Sequence, residues 1–277
     1  MATGTVLVTG ASTGIGEATA LHLRELGFDA VAGVRRDEDA ERLAAQGLRT
    51  VRLDVTDATQ IAAVREELGQ GALAGLVNNA GIAVAGPIEF LPIDQLRAQL
   101  EINLIGQVAV TQALVPALRR GRARVINVSS IGGRMALPLM GAYSMSKFGL
   151  EGFSDSLRRE LRPHGVNVVV IEPGGVKTPI WQKGNALIDR MMQDMPAGEL
   201  DRLYGRTIAA LRRETVRIEQ ERGMPARDVA ELIGTVLTHR RPRARYVIGR
   251  DAKVRAVMAR VVPDRVMDRL IGRALGG

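Results

Sequence analysis

The chain contains no cysteine. Disulfides, thiolate nucleophiles and cysteine-based metal centres are therefore excluded. Histidine is scarce too: His22, His164 and His239 lie far apart, in none of the spacings that gather metal ligands, so no metal site is expected. Aromatic residues make up only 3% of the sequence. With few rings for bases to stack on, the net charge of +8 is read as a solvated basic surface and not as a nucleic-acid footprint. The same positive potential suits an anionic cofactor. Long uninterrupted apolar runs are missing as well. The most apolar stretch, 102–118, carries Asn103, Gln107, Thr111, Gln112 and Pro116, which fits a buried helix better than a membrane span. The first residues show no basic segment ahead of an apolar one and run straight into a strand pattern. The expectation is no secretory signal and a cytoplasmic location.

What is present points to an ordinary globular chain. Of 277 residues, 46% are hydrophobic and 25% charged, enough to bury a sizeable core in one domain spanning 1–277. Short Val-rich runs at 5–9, 30–34, 50–53, 73–77, 124–128 and 166–171 alternate with helical periodicity, and a seventh run follows at 245–248. This alternation predicts an α/β fold with a doubly wound, seven-stranded parallel sheet flanked by helices. One long helix is expected over 93–119 and another over 142–162. The regular alternation stops after Pro173. A helical insertion is expected over 179–223, and a basic amphipathic tail over 252–275, broken at Pro263.

The first strand runs into Thr9-Gly10-Ala11-Ser12-Thr13-Gly14-Ile15-Gly16. In such a turn Gly10 permits the sharp bend, Gly14 lets the backbone approach a pyrophosphate, and Gly16 allows close helix–strand packing. The helix that follows directs free N–H groups at the anion. Binders of NAD place a carboxylate on the ribose about 20 residues further on. Here that place falls near Val34, followed by Arg35 and Arg36. A guanidinium there can hold a 2′-phosphate, so NADP(H) is expected over NAD(H).

A Ser-Ser pair, Ser129 and Ser130, ends the fifth strand, and Tyr143 and Lys147 follow at i, i+4. On a helix the two side chains share one face. A lysine ammonium beside a phenol is expected to bring the phenol's pKa down and make the pair a proton-transfer device. Taken alone the pairing is common, and its weight comes from its company.

That company is TGASTGIG at 9–16, NNAG at 78–81, Asn103 in EINLIG, Ser130 in INVSS, YSMSK at 143–147 and PGGVKTP at 173–179. Together these motifs resemble the short-chain dehydrogenase/reductase family over about the first 180 residues. Finer stretches resemble its hydroxysteroid and retinol dehydrogenase branch. The resemblance implies that Tyr143 is the catalytic acid/base, Lys147 its ribose-binding partner, Ser130 the donor to the substrate carbonyl, and Asn103 the holder of a relay water. It also implies a cofactor site of Gly10, Ser12, Thr13, Gly14, Ile15 and Gly16 on the phosphates, with Asp54 and Val55 on the adenine. Asn79, Ala80 and Gly81 would form the ribose wall, and Pro173, Gly174, Val176 and Thr178 the nicotinamide loop. One departure is that Thr13 stands where the family's other NADP marker is basic, so the NADP(H) expectation rests mainly on Arg35.

The substrate is expected to be a lipophilic ketone, aldehyde or alcohol, contacted by Ser130, Leu137, Met140, Tyr143 and Trp181. Leu139, Met191, Met192, Met195, Leu203 and Tyr204 are expected to add apolar surface. A carrier-linked 3-ketoacyl reductase and a non-catalytic NADP(H)-sensing protein on the same fold are the alternatives. The resemblance further implies a homodimer or homotetramer. The arginine-rich tail is expected to pack on the domain or a neighbouring subunit in preference to a membrane.

Overall fold

The computed structural model describes residues 3–182, 186, 188–190 and 198–274. Its strands are β1 Thr5–Thr9, β2 Asp29–Val34, β3 Arg49–Arg52, β4 Leu73–Asn78, β5 Arg124–Val128, β6 Asn167–Pro173 and β7 Arg245–Ile248. They form one sheet in the order β3-β2-β1-β4-β5-β6-β7, every neighbour parallel. The seven strands expected from the sequence are all present, with ends that differ by a residue or so. A strand covered on both faces has no need of alternation, which is why Val6, Leu7 and Val8 are all buried.

Helices cover both faces. The first is α1 Gly14–Glu25, followed by α2 Asp37–Ala44, α3 Ala58–Leu68, α4 Ile93–Leu100, α5 Gly106–Arg120 and α6 Gly141–Leu161. Beyond β6 come α7 Glu199–Arg217, α8 Ala226–Thr238, α9 Arg250–Val261 and α10 Asp264–Ala274. On one face Ala20 and Leu23 of α1 meet Val229, Ile233, Val236 and Leu237 of α8 over the strands. On the other, Val64 and Leu68 of α3, Val110, Leu114 and Leu118 of α5, and Leu157 and Leu161 of α6 fill the space. Fully burying a leucine such as Leu23 or Leu114 contributes about 1.5–3 kcal/mol.

The long helix expected over 93–119 is interrupted. A π turn spans Glu101–Ile105, where the Gly106 N–H donates to Glu101 O, five residues back. Such turns insert one residue into the helix and concentrate at functional sites. This one carries Asn103. The whole stretch Ile93–Arg120 is long and apolar enough to cross a membrane by length and composition. Val110, Leu114, Ala117 and Leu118 are nonetheless in the core, as expected of a buried helix. The tail breaks at Pro263, as expected, between α9 and α10. Ala252 and Met267 anchor it, while Val254, Val257 and Val261 stay exposed.

Candidate active site

The strand order reverses between β1 and β4, and loops leaving their carboxyl ends diverge to open a crevice. Gly10 takes φ +63°, and a Cβ there would come within 2.6 Å of Ala80 Cα. Gly14 takes φ +62°, and a Cβ there would lie 3.0 Å from Thr178 Cγ2. A Cβ on Gly16 would collide with Gly10 O and the Asn79 amide, so this glycine serves packing, as its position in the motif suggests. The NNAG segment is tied to the turn by side chains. The Asn79 amide donates to Thr9 O and Gly10 O at 3.0 and 3.1 Å, and the Thr9 hydroxyl accepts from the Asn79 and Ala80 N–H groups. Thr13 precedes α1 in extended conformation without a side-chain cap bond. The first amides of α1 are thus available to an anion.

The crevice encloses about 1140 Å³ including its open mouth. Its walls include Gly10, Ser12, Thr13, Gly14, Ile15, Arg35, Asp54, Val55, Asn79, Ala80, Gly81, Asn103, Tyr143, Lys147 and Thr178, all expected from the sequence. Leu53, Ile82, Ile102, Pro179 and Ile180 also line it and were not expected. Four expected cofactor residues besides Gly16 stand elsewhere. Arg36 is the exposed residue preceding α2, with no side-chain cap bond to that helix. Pro173 ends β6 in the interior. Gly174 is backed by the Asp251 carboxylate, and Val176 pairs with Met224 while its carbonyl accepts from Trp181 Nε1 at 3.2 Å. They shape the loop that delivers Thr178 to the crevice.

The groups with chemistry sit at the crevice's inner end. Ser130 leaves β5 in extended conformation, and its hydroxyl oxygen accepts from Gly132 N–H at 3.0 Å, leaving its proton free to donate. Burial pushes the Tyr143 phenol's pKa up, and the neighbouring Ser130 hydroxyl opposes that rise without cancelling it. Lys147 is buried one turn further along α6. Its ammonium donates to Val128 O at 2.9 Å and lies 5.8 Å from the Tyr143 ring centroid. Burial lowers the Lys147 pKa from 10.5 to about 8, opposed by the charge of Glu151. The expectation that the lysine brings the phenol's pKa down is therefore corrected: burial of the phenol carries it up. The dry environment that both side chains share outweighs their proximity.

Asn103 is fully engaged. Its amide accepts from Ile82 N–H at 2.8 Å, donates to Ile82 O at 2.9 Å, and reaches Ser146 Oγ at 3.2 Å. The side chain thus clamps the 82 loop to α6. Ser129, the alternative to Ser130, lines the crevice, whereas Ser130 lines a second cavity.

That second cavity, about 570 Å³ including its open mouth, shares Tyr143 with the crevice. Ser130, Leu137, Met140, Tyr143 and Trp181 all line it, as the sequence predicted for substrate contact. Leu139 is buried beside it with φ 66°, its carbonyl accepting from Gly86 N–H. Leu203 and Tyr204 do not reach it. Leu203 is exposed, and Tyr204 donates to Glu89 and packs edge-on against Phe90. Met191, Met192 and Met195 lie outside the described residues. Instead α7 contributes Leu211, Glu214 and Thr215, and the turn after it Ile218. Their spacing of i, i+3, i+4, i+7 is a single helical face, a signal the sequence carried. Arg255 from the tail also lines the cavity.

A dinucleotide cleft at the reversal of a parallel sheet, with a Ser-Tyr-Lys set at its end, defines a class of nicotinamide-dependent oxidoreductases. A family model described as short chain dehydrogenase matches residues 4–188. The chain is 35% identical to retinol dehydrogenase 5 of Mus musculus, covering 96% of this chain and 87% of the relative. It is also 35% identical to the NADPH-dependent 3-dehydrocapnine reductase of Ornithobacterium rhinotracheale, covering 97% and 96%. Among solved structures, a short-chain dehydrogenase from Streptomyces avermitilis superposes with TM-score 0.80 at 28% identity, covering 97% of this chain and 95% of that one. One from Burkholderia cenocepacia in complex with NADP gives 0.75 at 25%, covering 96% and 97%. A third, from Burkholderia phymatum in complex with NAD, shares the fold at 0.77 and 22%, covering 96% and 95%. The chain belongs to the short-chain dehydrogenase/reductase family and is an oxidoreductase, with retinol dehydrogenase-like relatives.

Proposed function

We propose that this chain interconverts a lipophilic ketone or aldehyde and its alcohol, using NADP(H), with Tyr143 as the proton donor and acceptor. The observation that carries the proposal is the position of Tyr143 in the wall of both cavities, with Ser130 lining the second beside it. A reacting carbonyl at that junction meets two hydroxyl donors as its oxygen gains charge.

The cradle fits a dinucleotide, because Gly10 and Gly14 line the crevice at positive φ where neighbouring atoms leave no room for a Cβ, so bare backbone faces the ligand. When bound, the nicotinamide supplies or accepts the hydride. The residues do the rest. The turn from Gly10 to Ile15 and the uncapped start of α1 would hold the phosphates. Asn79, Ala80 and Gly81 would border the ribose, Asp54 and Val55 the adenine, and Thr178 the nicotinamide end. Arg35 is over half exposed on the crevice wall, with its Nη1 3.9 Å from Asp54 Oδ2. That separation is too long for a hydrogen bond, so the guanidinium keeps donors for a 2′-phosphate. The relative whose name specifies NADPH supports this preference.

In the reductive direction the Tyr143 hydroxyl gives its proton to the substrate oxygen, while Ser130 steadies that oxygen by donation. Lys147 holds positive charge beside the phenolate that forms. Oxidation reverses the transfer. The apolar lining of Leu137, Met140, Trp181 and Leu211 excludes water and selects lipophilic substrates.

The test is Tyr143→Phe. NADPH should still bind, by fluorescence titration, while turnover of lipophilic ketones falls by about 10²–10⁴-fold or more. A variant that binds NADPH and keeps near-native turnover would overturn the reading.

A further inference from the structure

Three cavities stand in series. The crevice and the apolar pocket share Tyr143, and the apolar pocket shares Glu214, Ile218 and Arg255 with a third, outer cavity. This sharing gives the pocket a direction, from the reacting hydroxyls to the Glu214–Arg255 wall. Among its described lining residues, Glu214 and Arg255 are the charged ones.

The two charges are paired only loosely. Glu214 Oε2 accepts from Arg222 Nη2 at 2.5 Å, a short, charge-assisted bond. Its other oxygen stands 3.7 Å from Arg255 Nη2, beyond hydrogen-bond distance. The carboxylate is thereby neutralised by Arg222, and Arg255 keeps a fork of N–H donors at the edge of an apolar cavity. The outer cavity sets Arg222 and Arg250 against Asp228 and Asp251. Asp251 is committed in part, accepting from Gly175 N–H at 3.3 Å. A guanidinium bordering apolar walls gains most from an oxyanion that pairs with it in bidentate fashion.

We propose that the substrate is an amphiphile with an anionic end. Its carbonyl or hydroxyl sits at Tyr143, and its apolar body runs past Met140, Trp181 and Leu211. A carboxylate-type oxyanion at the far end pairs with Arg255. This inference rests on the oxidoreductase reading of the pocket given above. It assigns a binding role to the tail helix α9, which lies well beyond the signature motifs.

Trp181 is the sole tryptophan and lines the pocket, so its fluorescence reports binding without turnover. Wild-type protein is titrated with a long-chain keto acid and with its methyl ester, and the ratio of the two affinities is compared with that of Arg255→Gln and Arg255→Lys. The expected result is a wild-type preference for the acid of about tenfold or more. The ratio should collapse toward one in Arg255→Gln and be partly restored in Arg255→Lys. Equal affinities in the wild type would overturn the inference, as would a parallel loss for acid and ester in Arg255→Gln, which would mean a packing role only. The same ligands are then assayed for turnover with NADPH. Arg255-dependent acid binding without turnover of either ligand would uphold the anion site and sink the oxidoreductase reading of this pocket.

Discussion

Lys147 carries its charge where a charge is costly, and replacing it with methionine separates stability from function. Burial lowers its pKa from 10.5 to about 8. A fall of that size means that holding the ammonium in the fold costs about 3 kcal/mol at neutral pH. Methionine has a similar unbranched reach and no charge. Lys147→Met also removes the donor to Val128 O, which sits at 2.9 Å, and an orphaned buried carbonyl costs about 1–2 kcal/mol. The balance is a variant more stable than wild type by about 1–2 kcal/mol at pH 7, or about 2–4 °C in Tm for a chain of this size.

The sign is fixed by the direction of the shift. Below about pH 8 folded and unfolded chains both hold the Lys147 proton, and the penalty is fully present. Between pH 8 and 10.5 the folded chain is neutral while the unfolded chain is still charged, so wild-type stability rises through that window relative to the variant. The advantage of Lys147→Met should therefore shrink and vanish, leaving the lost Val128 bond as the remaining difference. Urea unfolding at pH 7 and near pH 10.5 measures both ends. Turnover should fall by at least about a hundredfold in the same variant, since proton transfer loses its supporting charge. The reasoning fails if Lys147→Met is less stable at pH 7, or if its advantage grows with pH.

Three further outcomes follow from the same geometry. Gly14→Ala puts a Cβ at φ +62° and 3.0 Å from Thr178 Cγ2, so the Kd for NADPH should rise about tenfold or more, read by cofactor fluorescence. Glu151→Gln removes the charge that raises the Lys147 pKa, so the basic limb of the kcat/KM profile should move to lower pH; an unmoved limb would detach Lys147 from the reaction. Arg35→Ser should cut the ratio of NADPH to NADH affinity by about tenfold or more, because a guanidinium–phosphate bond is charge-assisted.

The sheet and the cleft were legible because their signals are local. Val-rich runs such as 166–171 can be little else than strands once a helix pattern lies on either side. The glycine turn is read from positions where a Cβ has no room. The π turn at Glu101–Ile105 was not legible, since EINLI has ordinary helix formers and the extra residue is fixed by the tertiary clamp of Asn103 on Ile82. Arg36 and Arg35 are chemically alike, and only the start of α2 decides which faces the crevice. Leu203 looked like pocket lining by its apolarity. It lies near the start of α7 and is exposed, whereas residues two turns and more further along, Leu211, Glu214 and Thr215, reach the cavity. Arg255 was hidden for a different reason. It sits in a tail where five arginines repeat, and nothing in the sequence distinguishes the one that borders the apolar pocket.

The same distinction between local and tertiary signals bears on the central pair. From spacing alone, a lysine one turn after a tyrosine lowers the phenol's pKa. In the folded protein both side chains are buried, and burial drives each toward its neutral form: the phenol up, the ammonium down. A phenol kept protonated is a ready donor to a nascent alkoxide, and a lysine poised near pH 8 keeps its charge at neutral pH with little to spare. The Ser130 hydroxyl works against the burial at the phenol, and the Glu151 charge works against it by steadying the ammonium. The catalytic competence proposed for Tyr143 thus depends on two neighbours that offset a dry pocket. That dryness is in turn what an apolar substrate requires.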